Sequence, residues 1–260
     1  VVGVLDTAFR ERWNDPTNVD TGNPLAFLRD RVRHARLHAD PLPPQLPPPP
    51  PCGPHVVQNL RTYPAIRPPY DFAPHGERSV ARGYSKAIKQ ARRLVYLEDQ
   101  YMWSADVARL FAGALAENPE LHLVVVVPRV PDQDGAVAER SQYIGRWQAL
   151  EMCRRAGRNR VHVFDVENHD GTPVYVHAKV CVVDDVWASV GSDNFNRRSW
   201  THDSELSSAV LDTTRDPREP RDPAGTGDGA RTFARALRLA RAREHRDRAA
   251  DGSEDDDLLD

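Results

Sequence analysis

His177 and Lys179 stand two residues apart in Val174-Tyr175-Val176-His177-Ala178-Lys179-Val180-Cys181-Val182-Val183-Asp184, a run rich in residues that favour strands. In a strand, side chains at i and i+2 project from the same face. The imidazole and the ammonium are therefore expected side by side, about 7 Å apart along the chain, a span that one phosphate bridges. Lys179 can neutralise a phosphodiester as a compact point charge. An imidazole titrates near neutral pH, so it can attack phosphorus or protonate a leaving alkoxide. Shortly after comes Gly191-Ser192-Asp193-Asn194, read as a tight turn whose N–H groups, hydroxyl and carboxamide suit phosphate oxygens. The plain alternative is an ordinary strand histidine beside a solvated edge lysine. That alternative leaves the Gly-Ser-Asp-Asn turn unexplained.

The spacing H-x-K-x4-D followed by G-S-x-N reads here as His177, Lys179, Asp184, then Gly191, Ser192 and Asn194. It closely resembles the signature of the phospholipase D superfamily. The resemblance implies catalytic roles for His177 and Lys179, phosphate binding by Lys179, Ser192 and Asn194, and a mainly supporting role for Asp184. It also implies that an acidic residue after the signature accepts a hydrogen bond from the histidine and fixes its tautomer, as the third member of a triad does. Glu205, in Asp203-Ser204-Glu205, occupies that place, with Asp203 the second choice. The segment Leu94-Val95-Tyr96-Leu97-Glu98-Asp99-Gln100-Tyr101 resembles a strand-end segment of the family near its active site, which makes Glu98 and Gln100 candidate lining residues. Polar groups at a strand's carboxyl end are where α/β proteins place their sites. A helix start capped by Asp99 or Asp106 explains this segment about as well.

Composition narrows the function classes. The 260 residues hold 35 basic and 38 acidic side chains, for a net charge of −3. Bulk charge therefore gives no attraction to nucleic acid, which is not an expected partner. No apolar run reaches the ~20 residues of a membrane span. Cys52, Cys153 and Cys181 are scattered without C-x-x-C spacing, so neither a disulfide framework nor a zinc site is expected. No metal or organic cofactor is expected.

The elements that must position these residues alternate between strand and helix. Strands are expected at Val56–Tyr63, Leu94–Leu97, Leu121–Val127, Val161–Val166, Val174–Val183, Val186–Val190 and Leu206–Leu211. Helices are expected at Ser79–Arg93, Asp106–Ala116, Ala136–Ala156 and Arg231–Arg248. The first shows a stripe of Val80, Tyr84, Ala87, Ile88 and Ala91. The last should turn Phe233, Leu237 and Ala240 inward and its arginines outward, where a basic face could meet anionic headgroups. The predicted fold class is α/β, with a mixed, largely parallel central sheet and helices on both faces.

By resemblance, residues 1–40 are the end of an upstream phospholipase D-like half. Val1–Val4 then form its last strand, and Phe9 and Trp13 share one face of its last helix. Residues 41–54 are a stiff Pro-rich linker, 55–250 a catalytic half with one signature, and 251–260 an acidic tail. The family joins two signatures, one histidine forming a phosphohistidine and the other acting as acid and base. The chain thus reads as one of two half-sites, completed by a missing N-terminal half or by a second signature-bearing chain. The expected activity is phospholipid hydrolysis or transphosphatidylation, in a protein that is soluble or peripheral to a membrane. A nuclease of the same superfamily and a non-catalytic lipid- or partner-binding half are the alternatives.

Overall fold

The computed structural model describes residues 1–15, 40–67, 69–130, 136–227, 229–249 and 251–253. The acidic residues Glu254–Asp257 and most of the segment between Trp13 and Asp40 lie outside the described residues. Eight strands form one sheet: β1 (His55–Tyr63), β2 (Glu77–Arg78), β3 (Leu94–Glu98), β4 (His122–Val126), β5 (Val161–Phe164), β6 (Val180–Val183), β7 (Trp187–Gly191) and β8 (Glu205–Asp212). Their order across the sheet is β2-β1-β8-β7-β6-β3-β4-β5. The helices are α1 (Val2–Trp13), α2 (Ser79–Gln90), α3 (Ala105–Glu117), α4 (Ala136–Gly157), α5 (Arg197–Thr201) and α6 (Thr232–His245).

The mixed α/β class is as the sequence suggested, with less parallel pairing than expected. Only β3–β4 and β4–β5 are parallel. The pairs β1–β2, β1–β8, β3–β6, β6–β7 and β7–β8 are antiparallel. Parallel neighbours need a long crossover, which α3 and α4 supply. Antiparallel neighbours need only a turn.

The central strands alternate between two cores. Val95, Leu97, Leu123, Val125, Cys181 and Val183 pack beneath α2, α3 and α4. Tyr96, Val126, Val180, Val182 and Ala188 pack on the other face with Ala234 of α6. This is why these strands read as continuous apolar runs. Val80, Tyr84, Ile88 and Ala91 are fully buried, so the stripe predicted for α2 does face the core.

Three local expectations change. Val1–Val4 open a helix, with Val4 N and Leu5 N donating to Val1 O. No strand of the sheet runs beside them to support a ladder. Phe9 and Trp13 do share a face of that helix, their rings stacked at 5.6 Å. On α6 Phe233 and Leu237 are half-buried against the core as expected, but its buried face is Ala234, Arg235, Arg238 and Leu239, while Ala240 is exposed. Two of the arginines expected in solvent are thus buried, because a carboxylate waits for them.

That carboxylate belongs to Asp185. Asp184 (φ 53°) and Asp185 (φ 56°) form the turn between β6 and β7, closed by Val186 N donating to Val183 O. Two successive positive-φ residues match the twist of a hairpin, and aspartate tolerates them. Asp185 accepts from Arg235 Nε (3.0 Å), Arg238 Nε (2.6 Å) and Arg238 Nη2 (2.7 Å). All three side chains are almost wholly buried. Removing one partner of a buried ion pair strands the other charge. Asp185→Ala is expected to lower the unfolding free energy by about 3–5 kcal/mol, read from urea denaturation. A loss below about 1 kcal/mol would show that the arginines find water instead.

Candidate active site

His177 and Lys179 do not lie on a laddered strand. The expected strand Val174–Val183 is paired only from Val180 onward. β3 ends at Glu98, which pairs with Val180, so the residues before Val180 run past the edge of their neighbour. Val174 N donates to Val166 O (2.7 Å), and Gly191 N donates to Lys179 O (3.1 Å). Between them Val176, His177 and Ala178 have no backbone partner among the described residues. The rings of Tyr175 and His177 lie nearly parallel at 6.3 Å, and Lys179 Nζ reaches back to His177 O at 2.8 Å.

His177 is exposed and Lys179 is buried. Lys179 Nζ also donates to Gln100 Oε1 (3.2 Å). Burial lowers the affinity of this amine for its proton, and the nearby charges of Asp99, Glu205 and Asp193 oppose that. Among the described residues none of these carboxylates reaches ion-pair distance of Nζ, so the ammonium is held by neutral oxygens.

Gly191 works by permitting close approach. It is the last residue of β7, paired with Ser207 of β8. A Cβ there would sit 1.7 Å from Ser207 Oγ and 2.6 Å from Ser207 Cα. The turn expected at Gly191 therefore begins only at Ser192. Ser192 Oγ donates to Glu205 Oε2 (2.5 Å), and Leu206 N donates to Ser192 Oγ (3.1 Å). Asn194 Oδ1 is enclosed without a partner, an acceptor available to a donor group on a ligand.

Two of the expected site residues lie elsewhere. Asp184 is at the far end of β6, on the order of 15 Å of strand from Lys179. Its carboxylate accepts from the backbone N–H of Arg92, Arg93 and Leu94, each at 2.8 Å. It anchors the hairpin to the start of β3. Glu98 projects to the opposite face from the Lys179 amine, where it meets Tyr96 Oη (2.5 Å), Arg241 Nε (2.9 Å) and His245 Nε2 (2.9 Å). Burial raises its pKa, but His245, Arg241 and Tyr96 outweigh that and hold it down at about 2. Glu98 fastens α6 to the sheet. Glu205 is at the site, but its carboxylate is taken up by Ser192 and Ser199, not by His177.

Three further residues shape the site. Asp99 accepts from Tyr101 N (2.9 Å), Met102 N (2.5 Å) and Phe195 N (3.0 Å), tying the loop after β3 to the loop after β7. Arg146 of α4 donates to Gln100 O, Tyr101 O and Pro128 O at 3.0, 3.0 and 2.7 Å, holding the first loop from outside. Tyr175 meets Gln100; its parity with His177 was the signal in the sequence for it, Asp99 was read there only as a possible helix cap, a place Ser104 takes, and Arg146 left no signal.

The family whose description is "Cardiolipin synthase, PLD-like domain" matches residues 84–215, half of the chain, and the chain belongs to this phospholipase D-like family of phosphodiesterases. Human phospholipase D1 is 28% identical over 204 residues, which cover 63% of this chain and 18% of that protein. Cardiolipin synthase of Staphylococcus aureus strain Mu50 is 27% identical over 130 residues, covering 50% and 23%. The chain spans about a fifth of the length of these curated relatives. Among solved structures it is similar to Nuc from Salmonella typhimurium, a phospholipase D family member, with TM-score 0.47, 15% identity, and 75% and 95% of the two chains covered. It is also similar to phosphatidylserine synthase of Haemophilus influenzae, with TM-score 0.49, 16% identity, and 88% and 47% covered.

Two outcomes follow from this geometry. Gly191→Ala must push β8 away from β7, so it is expected to cost about 1–3 kcal/mol and to lower the melting temperature clearly; an unchanged melting temperature would mean that the strands yield freely. Asp193 is fully buried, with Ser207 Oγ donating to it and Tyr84 Oη beside it. Burial, then the charge of Glu205, pushes its pKa up to about 8. The folded chain keeps this proton after the unfolded chain has lost it near pH ~4, so its contribution to stability declines as pH rises from there to about 8. Asp193→Asn, which mimics the protonated acid, is expected to flatten the fall of the urea midpoint between about pH 5 and 8.

Proposed function

We propose that this chain supplies one half-site of a phospholipase D-type phosphodiesterase acting on phospholipid. The observation that carries the reading is a buried lysine ammonium whose hydrogen-bond partners among the described residues are neutral oxygens, two residues along the chain from an exposed imidazole. A phosphodiester anion is the ligand such a cation lacks. Lys179 binds one non-bridging oxygen, and Ser192 and Asn194 are its candidate partners in holding the phosphate.

His177 acts as general acid and base. As imidazolium it gives its proton to the leaving alkoxide when a nucleophilic histidine of the other half-site bonds to phosphorus. As imidazole it then takes a proton from water, or from an acceptor alcohol, whose oxygen displaces the phosphohistidine. Water yields hydrolysis and an alcohol yields transfer. The second histidine comes from an N-terminal half or from another signature-bearing chain. The family membership of residues 84–215 supports the reaction class, and the names of the cardiolipin synthase relatives support a phospholipid substrate.

Residues 1–260 alone are expected to show little or no release of phosphatidic acid from phosphatidylcholine or phosphatidylglycerol vesicles. With its complementary half-site, activity should appear, persist with a chelator present, and fall at least about 10³-fold in His177→Ala. Strong activity of the isolated chain would refute the half-site. Salt-sensitive degradation of DNA with no lipid turnover would move the substrate to nucleic acid. Full activity of the His177→Ala protein would refute the mechanism.

A further inference from the structure

The segment that presents His177 and Lys179 lacks a neighbouring strand, yet one side chain stands where that strand would be. Gln100 follows β3 by two residues, and its side chain is buried. Its Oε1 accepts from Lys179 Nζ (3.2 Å). Its Nε2 donates to Tyr175 Oη (2.6 Å) and Tyr101 Oη (3.0 Å). Its backbone oxygen accepts from Arg146 Nη2 (3.0 Å). One carboxamide thus touches residues on both sides of His177, offering an acceptor to one and a donor to the other, as a peptide group does in a ladder.

We infer that Gln100 is a positioning residue of the phosphate site, a surrogate peptide group that holds Tyr175 and Lys179 in register around His177 and leaves the ammonium uncompensated. This rests on the reading that Lys179 receives the phosphate. Neutrality is the property that matters. A glutamate of the same length would reach the same atoms and make an ion pair with Lys179, filling the place of the substrate anion. An apolar residue of similar size would leave the ammonium one acceptor short in a buried place. The other ionisable groups around Nζ come from every element that meets there: Asp99 and Tyr101 from the loop after β3, Tyr175 and His177 from its own segment, Asp193 from the loop after β7, and Glu205 from β8. Asp99 is pinned by three backbone N–H groups and Glu205 by two serines, so among the described residues Gln100 is the polar side chain that reaches the amine directly.

The test needs no turnover. The ε-carbon of Lys179 is followed by NMR through a pH titration of the full chain, in wild type, Gln100→Glu and Gln100→Leu. Gln100→Glu is expected to raise the Lys179 midpoint by about one pH unit and Gln100→Leu to lower it. A merely structural role would move both variants in the same direction, or neither. Gln100→Glu should also weaken the response of Lys179 to added inorganic phosphate at least about tenfold. Backbone amide exchange at residues 176–178 should quicken at least about tenfold in Gln100→Leu. If Gln100→Leu does not fold, the Gln100→Glu midpoint decides alone. Unchanged midpoints, shifts of the same sign, or unchanged exchange overturn the inference. A failed lipid assay with these shifts present would count against the substrate and leave Gln100 in its role.

Discussion

β3 stops at Glu98, too early to support the chain that runs beside it before Val180. From Val180 onward β6 is paired on both sides, with β3 and with β7. Before Val180 one neighbour is gone. A backbone that leaves a sheet in this way must satisfy its polar groups through side chains or water. Here the last laddered contact is Gly191 N to Lys179 O, and further out the segment rests on Gln100 and its two tyrosines. The same departure leaves the imidazole exposed, because a further strand in that position would bury it. Exposure of His177 and support for His177 thus have one cause.

Such a segment holds still only if the strand behind it does. The far end of β6 is fixed by the paired aspartates of its turn. Asp184 gathers three backbone N–H groups at the start of β3, and Asp185 gathers two arginines of α6. A buried ion pair of this kind adds little net stability against an apolar substitute, but it specifies one arrangement. Glu98 does the same for the other end of α6, through Arg241 and His245. The helix is therefore tied to the sheet at both ends by charges that never meet the cleft.

The charge of the cleft is managed locally. The whole chain is slightly acidic, and three carboxyl groups lie near Lys179. Asp99 is covered by backbone donors, Asp193 retains its proton near neutral pH, and Glu205 is bonded to serines. Their negative charge is neutralised or turned aside, and none of them forms an ion pair with the ammonium among the described residues. The half-site proposal adds that a second surface supplies the opposing histidine, which accounts for one imidazole lying open beside one buried lysine.

The spacing of His177, Lys179, Ser192 and Asn194 was enough to point to the family, because fixed offsets between polar groups survive modest errors in strand boundaries. Periodicity likewise located most elements: the stripe of α2 and the alternating strands express burial that is local in sequence. Pairing direction was not local, so the sheet proved largely antiparallel where a β-α-β pattern had suggested otherwise. Tertiary structure also sorted the carboxylates. Asp184, Glu98 and Glu205 looked alike as acidic neighbours of a motif, yet one closes a hairpin, one anchors a helix and one holds Ser192. Gln100 became a partner of Lys179 only by folding, since a contact across 79 residues of chain leaves no periodic trace. What a residue can do is written in its type and spacing, whereas what it faces depends on which strand ends first.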